Sequence, residues 1–321
     1  MQTALHTLEA SAGHGIRVVL VSYTPGGERL VAASARLSLS RKPLESLLGL
    51  PEGEVEEWIR ETLVRGHFSP WEHSVYTWVA EGCTRVCTHQ LVRHRIASYT
   101  QQSMRYTEGV LRGLALSAAE MAGMECPVKP GRTQEEARRA YQCYSEALRW
   151  AAESLGAEEI VGLAWPAFLV PSRPGREEAA REAVQAASRY YQLLSRGWHR
   201  EDARYVLPHM VRTRIIVTMN ARELVQSFFP LRLCTRAQWE IRAVAWALRG
   251  LLLRVHPRLF RYAGPRCVLL ENSQRREPVT PEDIAGGRVE PGIGMCPERV
   301  PRRGIPACLL SAMRSTLPRR A

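Results

Sequence analysis

The stretch Gly82–Thr107 contains Arg85, Arg93, Arg95 and Arg105, together with His89 and His94, and no aspartate or glutamate. Surface arginines ordinarily alternate with carboxylates that neutralise them. Here the arginines sit among hydroxyl and amide side chains, in the run Arg93-His94-Arg95-Ile96-Ala97-Ser98-Tyr99-Thr100-Gln101-Gln102-Ser103-Met104-Arg105-Tyr106. Such a cluster lacks a counter-ion of its own. Any fold of this chain must therefore bring it to an anion supplied from outside, and planar guanidinium forks suit phosphate best.

A second acid-free region runs from Ala203 to Asn220 and includes Arg204 and Arg214; Arg222, Arg232 and Arg236 follow. Taken singly, each arginine could pair with a carboxylate elsewhere or reach solvent. Taken as two acid-free clusters, they point to phosphorylated ligands bound side by side. The formal charge of +12 would by itself suit a nucleic-acid binder. However, Lys42 and Lys129 are the only lysines, and the arginines are not interleaved with a reading surface of aromatics, so no nucleic-acid partner is expected.

Other catalytic classes lack their signatures. Neither a Gly-x-Gly-x-x-Gly turn nor a phosphate-loop lysine occurs, so side chains would have to hold any dinucleotide. A Gly-x-Ser-x-Gly elbow is missing as well. Cys83, Cys87 and His89 could form half a zinc site, but no second half follows, and no metal is expected. His67-Phe68-Ser69-Pro70-Trp71-Glu72-His73 reads equally as a ligand-contacting loop or as a cap and turn. The first fifteen residues lack an apolar core region, and no stretch reaches the roughly 18 apolar residues of a membrane span. A soluble cytoplasmic protein with reduced thiols is the expectation.

Periodicity predicts strands at Ile16–Tyr23, His73–Ala80 and Val211–Asn220. It predicts helices at Leu30–Leu39, Glu54–Arg65, Thr84–His94, Thr133–Leu155, Arg176–Ser195 and Ala237–Val255. Val55, Trp58, Ile59 and Leu63 (or Thr62) should face inward from the second of these helices, and Val86, Cys87 and Leu91 from the third. Thr133-x-x-Glu136 is a capping box. Gly162–Gly175 reads as loop, 1–15 as a loose extension, and 271–321 as a poorly ordered tail rich in Pro, Gly and Arg.

The ordered motifs Arg93-His94-Arg95 with Ser103 after seven residues, His67-x-Ser69-Pro70-x-Glu72-His73, Ala203-Arg204-x-Val-Leu-Pro208, Asn220-Ala-Arg222-Glu-Leu, Leu231-Arg232 and Ala237-Gln-Trp-Glu-Ile-Arg242 resemble the flavin-dependent thymidylate synthases. Ala33–Ser38 resembles that family's early helix. The likeness covers roughly 16–107 and 197–266. It implies an α+β fold, an antiparallel sheet flanked by helices, with a catalytic domain at 16–270 interrupted by a helical insertion within about 108–196. It also implies conversion of dUMP to dTMP, with methylenetetrahydrofolate as one-carbon donor and FAD, reduced by NADPH, as hydride source. A homotetramer with active sites at subunit interfaces would follow.

Carried over by position, Ser69, Arg93, His94, Arg95, Gln101, Asn220, Arg222 and Gln226 should hold FAD. Gln90, Arg93, Gln101, Ser103, Met104, Arg105, Arg204 and Arg232 should hold dUMP, with Arg232 activating the uracil ring. His67 and Glu72 would be further contacts to folate or flavin. This chain departs from the family at Thr100-Gln101, where Asn-Glu is common, and at Ser69, where Thr is common. The Asn220–Arg232 segment also reads one residue longer than usual, which leaves Gln226 and Ser227 as alternatives for one flavin contact.

Overall fold

The computed structural model describes residues 7–314. Its contacts divide the chain into two compact units, Met1–Glu81 with His89–Thr100 and Ile215–Ala321, and Gly82–Thr88 with Gln101–Arg214. Five strands, β1 (Leu8–Gly13), β2 (Ile16–Tyr23), β3 (Val75–Thr84), β4 (Ala97–Gln101) and β5 (Arg212–Asn220), form one sheet in the order β1-β2-β3-β5-β4. β1 pairs antiparallel with β2, and β2 with β3. The α+β architecture expected from the sequence is what the chain adopts.

In the first unit, helix Trp239–Val255 packs on β1 and β2. Gln238 starts it by accepting the Glu240 and Ile241 N–H groups, which would otherwise be unpaired donors of the first turn. Helix Gly27–Leu37 begins where Gly27 passes tightly over a buried polar line. A Cβ there would lie 2.3 Å from Ser74 Oγ and 2.7 Å from His256 Cε1. The Gly27 N–H donates to His256 Nε2 (3.2 Å), and His256 Nδ1 lies 2.7 Å from the Tyr76 hydroxyl, which lies 2.8 Å from Ser74 Oγ. Since Nε2 accepts, the proton of the neutral ring sits on Nδ1. Burial holds this imidazole down at about 4.

The second unit is helical. Helices Gly109–Met121, Gln134–Ser154, Ala157–Ala164 and Arg176–Ser195 enclose a core that includes Leu111, Leu148, Ile160, Tyr190 and Tyr191. Thr133 and Glu136 form the predicted capping box. Cys126 and Cys143 are joined by a disulfide. This corrects the expectation of reduced thiols throughout, although Cys83 and Cys87 are buried and outside any disulfide.

Several further expectations are corrected. Part of the expected extension, Leu8–Gly13, is strand β1, joined to β2 through a Gly13-His14-Gly15 turn with positive φ at all three residues. Its partner strand supplies the order that local propensity lacks. The expected tail carries helices Arg266–Asn272, Pro281–Ala285 and Ile305–Arg314 around a small core that includes Val268, Ile284, Ile293 and Leu309. Polar anchors order it. Buried Arg249 ion-pairs with Glu282 at 2.6 Å and also donates to the Ala263 and Arg261 carbonyls. Glu271 accepts the Gly292 and Ile293 N–H groups. Burial opposes the Glu271 charge, but those donors and Arg275 outweigh it and hold the carboxyl below its ordinary range. The first six residues and 315–321 lie outside the described residues.

Within the expected loop Gly162–Gly175, residues up to Ala164 finish a helix. Trp58 is only half-buried, because Val55, Ile59, Thr62 and Leu63 fill the inward face of its helix. Val86 points outward, 37% exposed, whereas Cys87 and Leu91 are buried.

His256 makes stability pH-dependent. Its unfolded-state value is near 6.5 and its folded value about 4. The unfolded chain therefore takes up the proton first. The contribution of the neutral ring is complete above about 6.5 and lost as pH falls to about 4. Denaturation midpoints measured between these limits should fall with acid more steeply than those of His256→Gln. For the disulfide, thiol titration of the unreduced, denatured chain should count the six free cysteines. Cys126→Ser should cost about 2–4 kcal/mol in denaturant melts.

Candidate functional site

β4 and the turn before it display the arginine-rich run. Helix Arg85–Leu91 ends at Leu91, and Tyr99 on β4 reaches back to fix the exit: its hydroxyl contacts the Leu91 carbonyl (2.9 Å) and the His94 carbonyl (2.7 Å). Burial pushes the Tyr99 phenol upward, so it remains a donor. In this geometry His94 turns inward, 4% exposed, while Arg93 and Arg95 point out to solvent. Neither has a carboxylate at ion-pair distance among the described residues.

His94 is the hub of the first unit's site. Arg232 Nε donates to His94 Nε2 at 3.0 Å. A guanidinium can only donate, so Nε2 accepts and the neutral ring carries its proton on Nδ1. That nitrogen faces Ser227 Oγ at 3.1 Å and Glu223 Oε1 at 3.4 Å. The Phe228 ring meets the imidazole edge-on, with centroids 5.1 Å apart. Arg232 Nη2 donates to the Gln90 carbonyl at 3.1 Å. Two bonds thus set the direction of the guanidinium plane. Sequence reasoning named His94, Arg232 and Gln90 but missed Glu223 as an orienting group. Glu223 lies inside the Asn220-Ala-Arg222-Glu motif, and a carboxylate between apolar Ala221 and Leu224 was the signal available.

The segment that supplies Glu223 and Ser227 is unusual. Asn220 Oδ1 accepts the Glu223 N–H at 2.8 Å and opens a helical turn. Leu224–Phe228 then forms a π-helix. A π-turn takes up one extra residue within a helix and is frequent at functional sites. Such a turn would accommodate the additional residue expected in this segment. It also separates the two alternatives for the flavin contact: Gln226 Oε1 accepts from Arg222 Nε at 2.9 Å, whereas Ser227 faces His94.

Arg222 also pairs with Glu72, each about half exposed. In the second unit Arg105 pairs with Glu201 at 2.7 Å, again half exposed. These two arginines thus have counter-ions within the chain, which corrects the expectation that the clusters lack them. His67 and Ser69 line an open cleft of about 850 Å³ together with Ser38 and Trp58.

The remaining expected residues lie in the second unit. Gln101 Nε2 donates to Thr88 Oγ1 at 3.0 Å. Ser103 and Met104 are half-buried, and the Thr107 hydroxyl donates to the Ser103 carbonyl (2.8 Å). Arg204 Nε donates to the Glu201 carbonyl. Arg85, which sequence reasoning left without a role, donates through Nη2 to the Gln102 carbonyl at 3.0 Å. Its Nε is buried without a partner. Burial, then the neighbouring Arg204 charge, pushes its guanidinium below the ordinary value.

Residues 19–258 match the family model described as thymidylate synthase complementing protein. The chain is 54% identical over 306 residues to the flavin-dependent thymidylate synthase of Aeropyrum pernix, covering 94% of each. It is 40% identical over 298 residues to that of Sulfolobus acidocaldarius, covering 92% of this chain and 95% of the relative. Among solved structures, it resembles the flavin-dependent thymidylate synthase ThyX of Helicobacter pylori complexed with FAD and dUMP, at 23% identity and a TM-score of 0.55, covering 77% of this chain and 99% of that one. It also resembles the UMP/dUMP methylase PolB of Streptomyces cacaoi bound with 5-Br dUMP, at 24% identity and a TM-score of 0.52, covering 76% and 93%. These two likenesses bear on the fold.

The split roles of Gln226 and Ser227 can be tested. Ser227→Ala should cost about 1 kcal/mol of stability by leaving His94 Nδ1 with only its longer contact to Glu223. Gln226→Ala, on the half-exposed side, should stay within about 0.5 kcal/mol. Chemical denaturation of the two variants reads the difference.

Proposed function

The chain belongs to the flavin-dependent thymidylate synthases, and on that premise we propose that it methylates dUMP reductively to dTMP. Methylenetetrahydrofolate is the one-carbon donor. Bound FAD, reduced by NADPH, supplies the hydride.

The protein's part is binding, orientation and field. The residues present fit FAD: Arg93 and Arg95 are exposed without carboxylate partners among the described residues, which suits a pyrophosphate, and the cleft beside His67 and Ser69 offers the Trp58 ring and hydroxyls. Ser69, Arg93, His94, Arg95, Gln101, Asn220, Arg222 and Gln226 are assigned to FAD, with His67 and Glu72 at the flavin or folate. Gln90, Arg93, Gln101, Ser103, Met104, Arg105, Arg204 and Arg232 are assigned to dUMP. The ion pairs of Arg105 and Arg222 are no obstacle. A half-exposed pair is worth about 0–1 kcal/mol, so an incoming phosphate can replace its carboxylate.

One observation carries the mechanism: Arg232 is aimed by the neutral His94 ring and the Gln90 carbonyl. A fixed guanidinium at the pyrimidine edge stabilises negative charge as it develops on the ring. Arg232 cannot act as a proton-transfer base, because its charge is permanent. Glu223 and Ser227 hold the His94 ring so that Nε2 keeps facing Arg232.

We also assign a homotetramer in the cytoplasm. Its support is the apolar surface the chain leaves uncovered: Leu39 is 79% exposed and Ile96, inside the arginine-rich run, 66%. No helix among the described residues is long and apolar enough to cross a membrane.

Arg232→Ala should retain FAD, read from the flavin absorbance of the purified protein, while dTMP formation falls by about 100-fold or more, the usual loss on removing a transition-state donor. Unchanged turnover would remove Arg232 from the chemistry.

A further inference from the structure

The loop that carries Ser103, Met104 and Arg105 runs directly into Glu108, the residue preceding helix Gly109–Met121. Glu108 is 6% exposed. Its Oε1 lies 3.2 Å from Arg200 Nη2 and 3.8 Å from Arg112 Nη1. The same Arg200 nitrogen donates to the Tyr141 hydroxyl at 2.9 Å. Glu108 Oε2 and Arg200 Nε are buried without partners. Both residues line an open cleft of about 430 Å³ together with Gln102 and Tyr106.

The next residue along, Glu201, pairs with Arg105 at 2.7 Å, and its carbonyl accepts from Arg204 Nε at 3.0 Å. Segments 103–108 and 200–204 are therefore joined by two ion pairs of opposite sense. In one the loop gives the arginine; in the other it gives the glutamate. Arg105 and Arg204, both assigned to the nucleotide, sit on either side of this crossed connection.

Stability does not account for the buried member of the pair. Burial pushes the Glu108 carboxyl above its ordinary range, although Arg200 and Arg112 pull the other way. Burial also opposes the Arg200 charge, but Glu108 and Tyr141 outweigh it and leave the guanidinium above its ordinary value. The asymmetry follows exposure, since the Glu108 side chain is 4% exposed and that of Arg200 37%. A buried carboxylate held at this cost is poor evidence for a stabilising role and better evidence for a geometric one. The exposed Arg105–Glu201 pair contributes little alone and could not fix the spacing of the two segments without a second tie.

We propose that Glu108 and Arg200 form a positioning clamp that sets Arg105 and Arg204 at the spacing a nucleotide phosphate requires. The proposal rests on the assignment of those two arginines to dUMP. Glu108 and Arg200 act through them and do not touch the substrate. Losing the clamp lowers affinity for dUMP and leaves the chemical step intact once dUMP is bound.

The test is calorimetric titration of dUMP into the FAD-loaded enzyme, with steady-state kinetics, for the wild type, Glu108→Gln, Arg200→Gln, the double variant and Arg105→Ala. Glu108→Gln keeps the shape and removes the charge. It should raise Kd and KM for dUMP by about tenfold, a coupling usual for a buried pair. The value of kcat and the FAD content should stay near those of the wild type, even where loss of one member of the buried pair lowers Tm. Arg200→Gln probes the pair from its more exposed side and should reproduce the rise, and the double variant should be no weaker than the worse single one. A merely structural role would instead lower kcat, FAD content and Tm together, and that result would overturn the proposal. If Arg105→Ala weakens dUMP binding while Glu108→Gln and Arg200→Gln do not, the clamp is refuted and the assignment of Arg105 to dUMP stands. If Arg105→Ala leaves dUMP binding unchanged, the assignment itself fails and the clamp with it.

Discussion

The hydrogen bond from Arg232 to His94 is the interaction on which the functional account turns. It has a fixed polarity, because a guanidinium has no lone pair to offer. That polarity dictates which ring nitrogen carries the proton, and the proton in turn faces Ser227 and Glu223. A carboxylate, an imidazole and a guanidinium stand in line, each fixing the next. The buried end is held by the π-turn at Leu224–Phe228 and the edge of the Phe228 ring. The outer end is a cation whose plane is set before any ligand arrives. Preorganisation of this kind lets a donor stabilise developing charge without first reorienting.

Around this line the chain manages its positive charge in two ways. Arg93 and Arg95 are left at the surface without carboxylate partners among the described residues. Arg105 and Arg222 are lent half-exposed partners, Glu201 and Glu72. Half-exposed pairs are weak in water and exchange readily for a phosphate. Such pairing keeps the ligand-free chain from carrying an uncompensated cluster and still leaves the site competent. Arg85, whose Nε is buried unpaired, is the costlier arrangement.

The sequence discloses elements whose order is local. The Thr133-x-x-Glu136 box, the helix Arg176–Ser195 and the alternation along β2 are legible because adjacent residues carry the whole signal. β1 is not, because Leu8–Gly13 has weak propensity and depends on its pairing with β2. The segment after Arg266 is not, because Arg249–Glu282 and the N–H groups gathered by Glu271 join residues far apart in sequence. Composition rich in Pro, Gly and Arg describes that segment's lack of periodicity and misses its anchors. In the site, the ordered motifs exposed His94, Arg232 and Gln90. Glu108 and Arg200 went unread, since one ends an acid-free window and the other opens a short helix, and only packing brings them together. The Cys126–Cys143 bridge likewise depends on how the start of helix Gln134–Ser154 meets the preceding turn.

The most direct measurement follows the hydrogen that methylation must displace from the uracil ring. Purified protein is given dUMP tritiated at that carbon, with FAD, NADPH and methylenetetrahydrofolate. Tritium should be released into water in step with dTMP formed, and release should be lost when the folate or the flavin is withheld. Protein that is loaded with FAD and binds dUMP, yet releases no tritium, would contradict the proposed methylation.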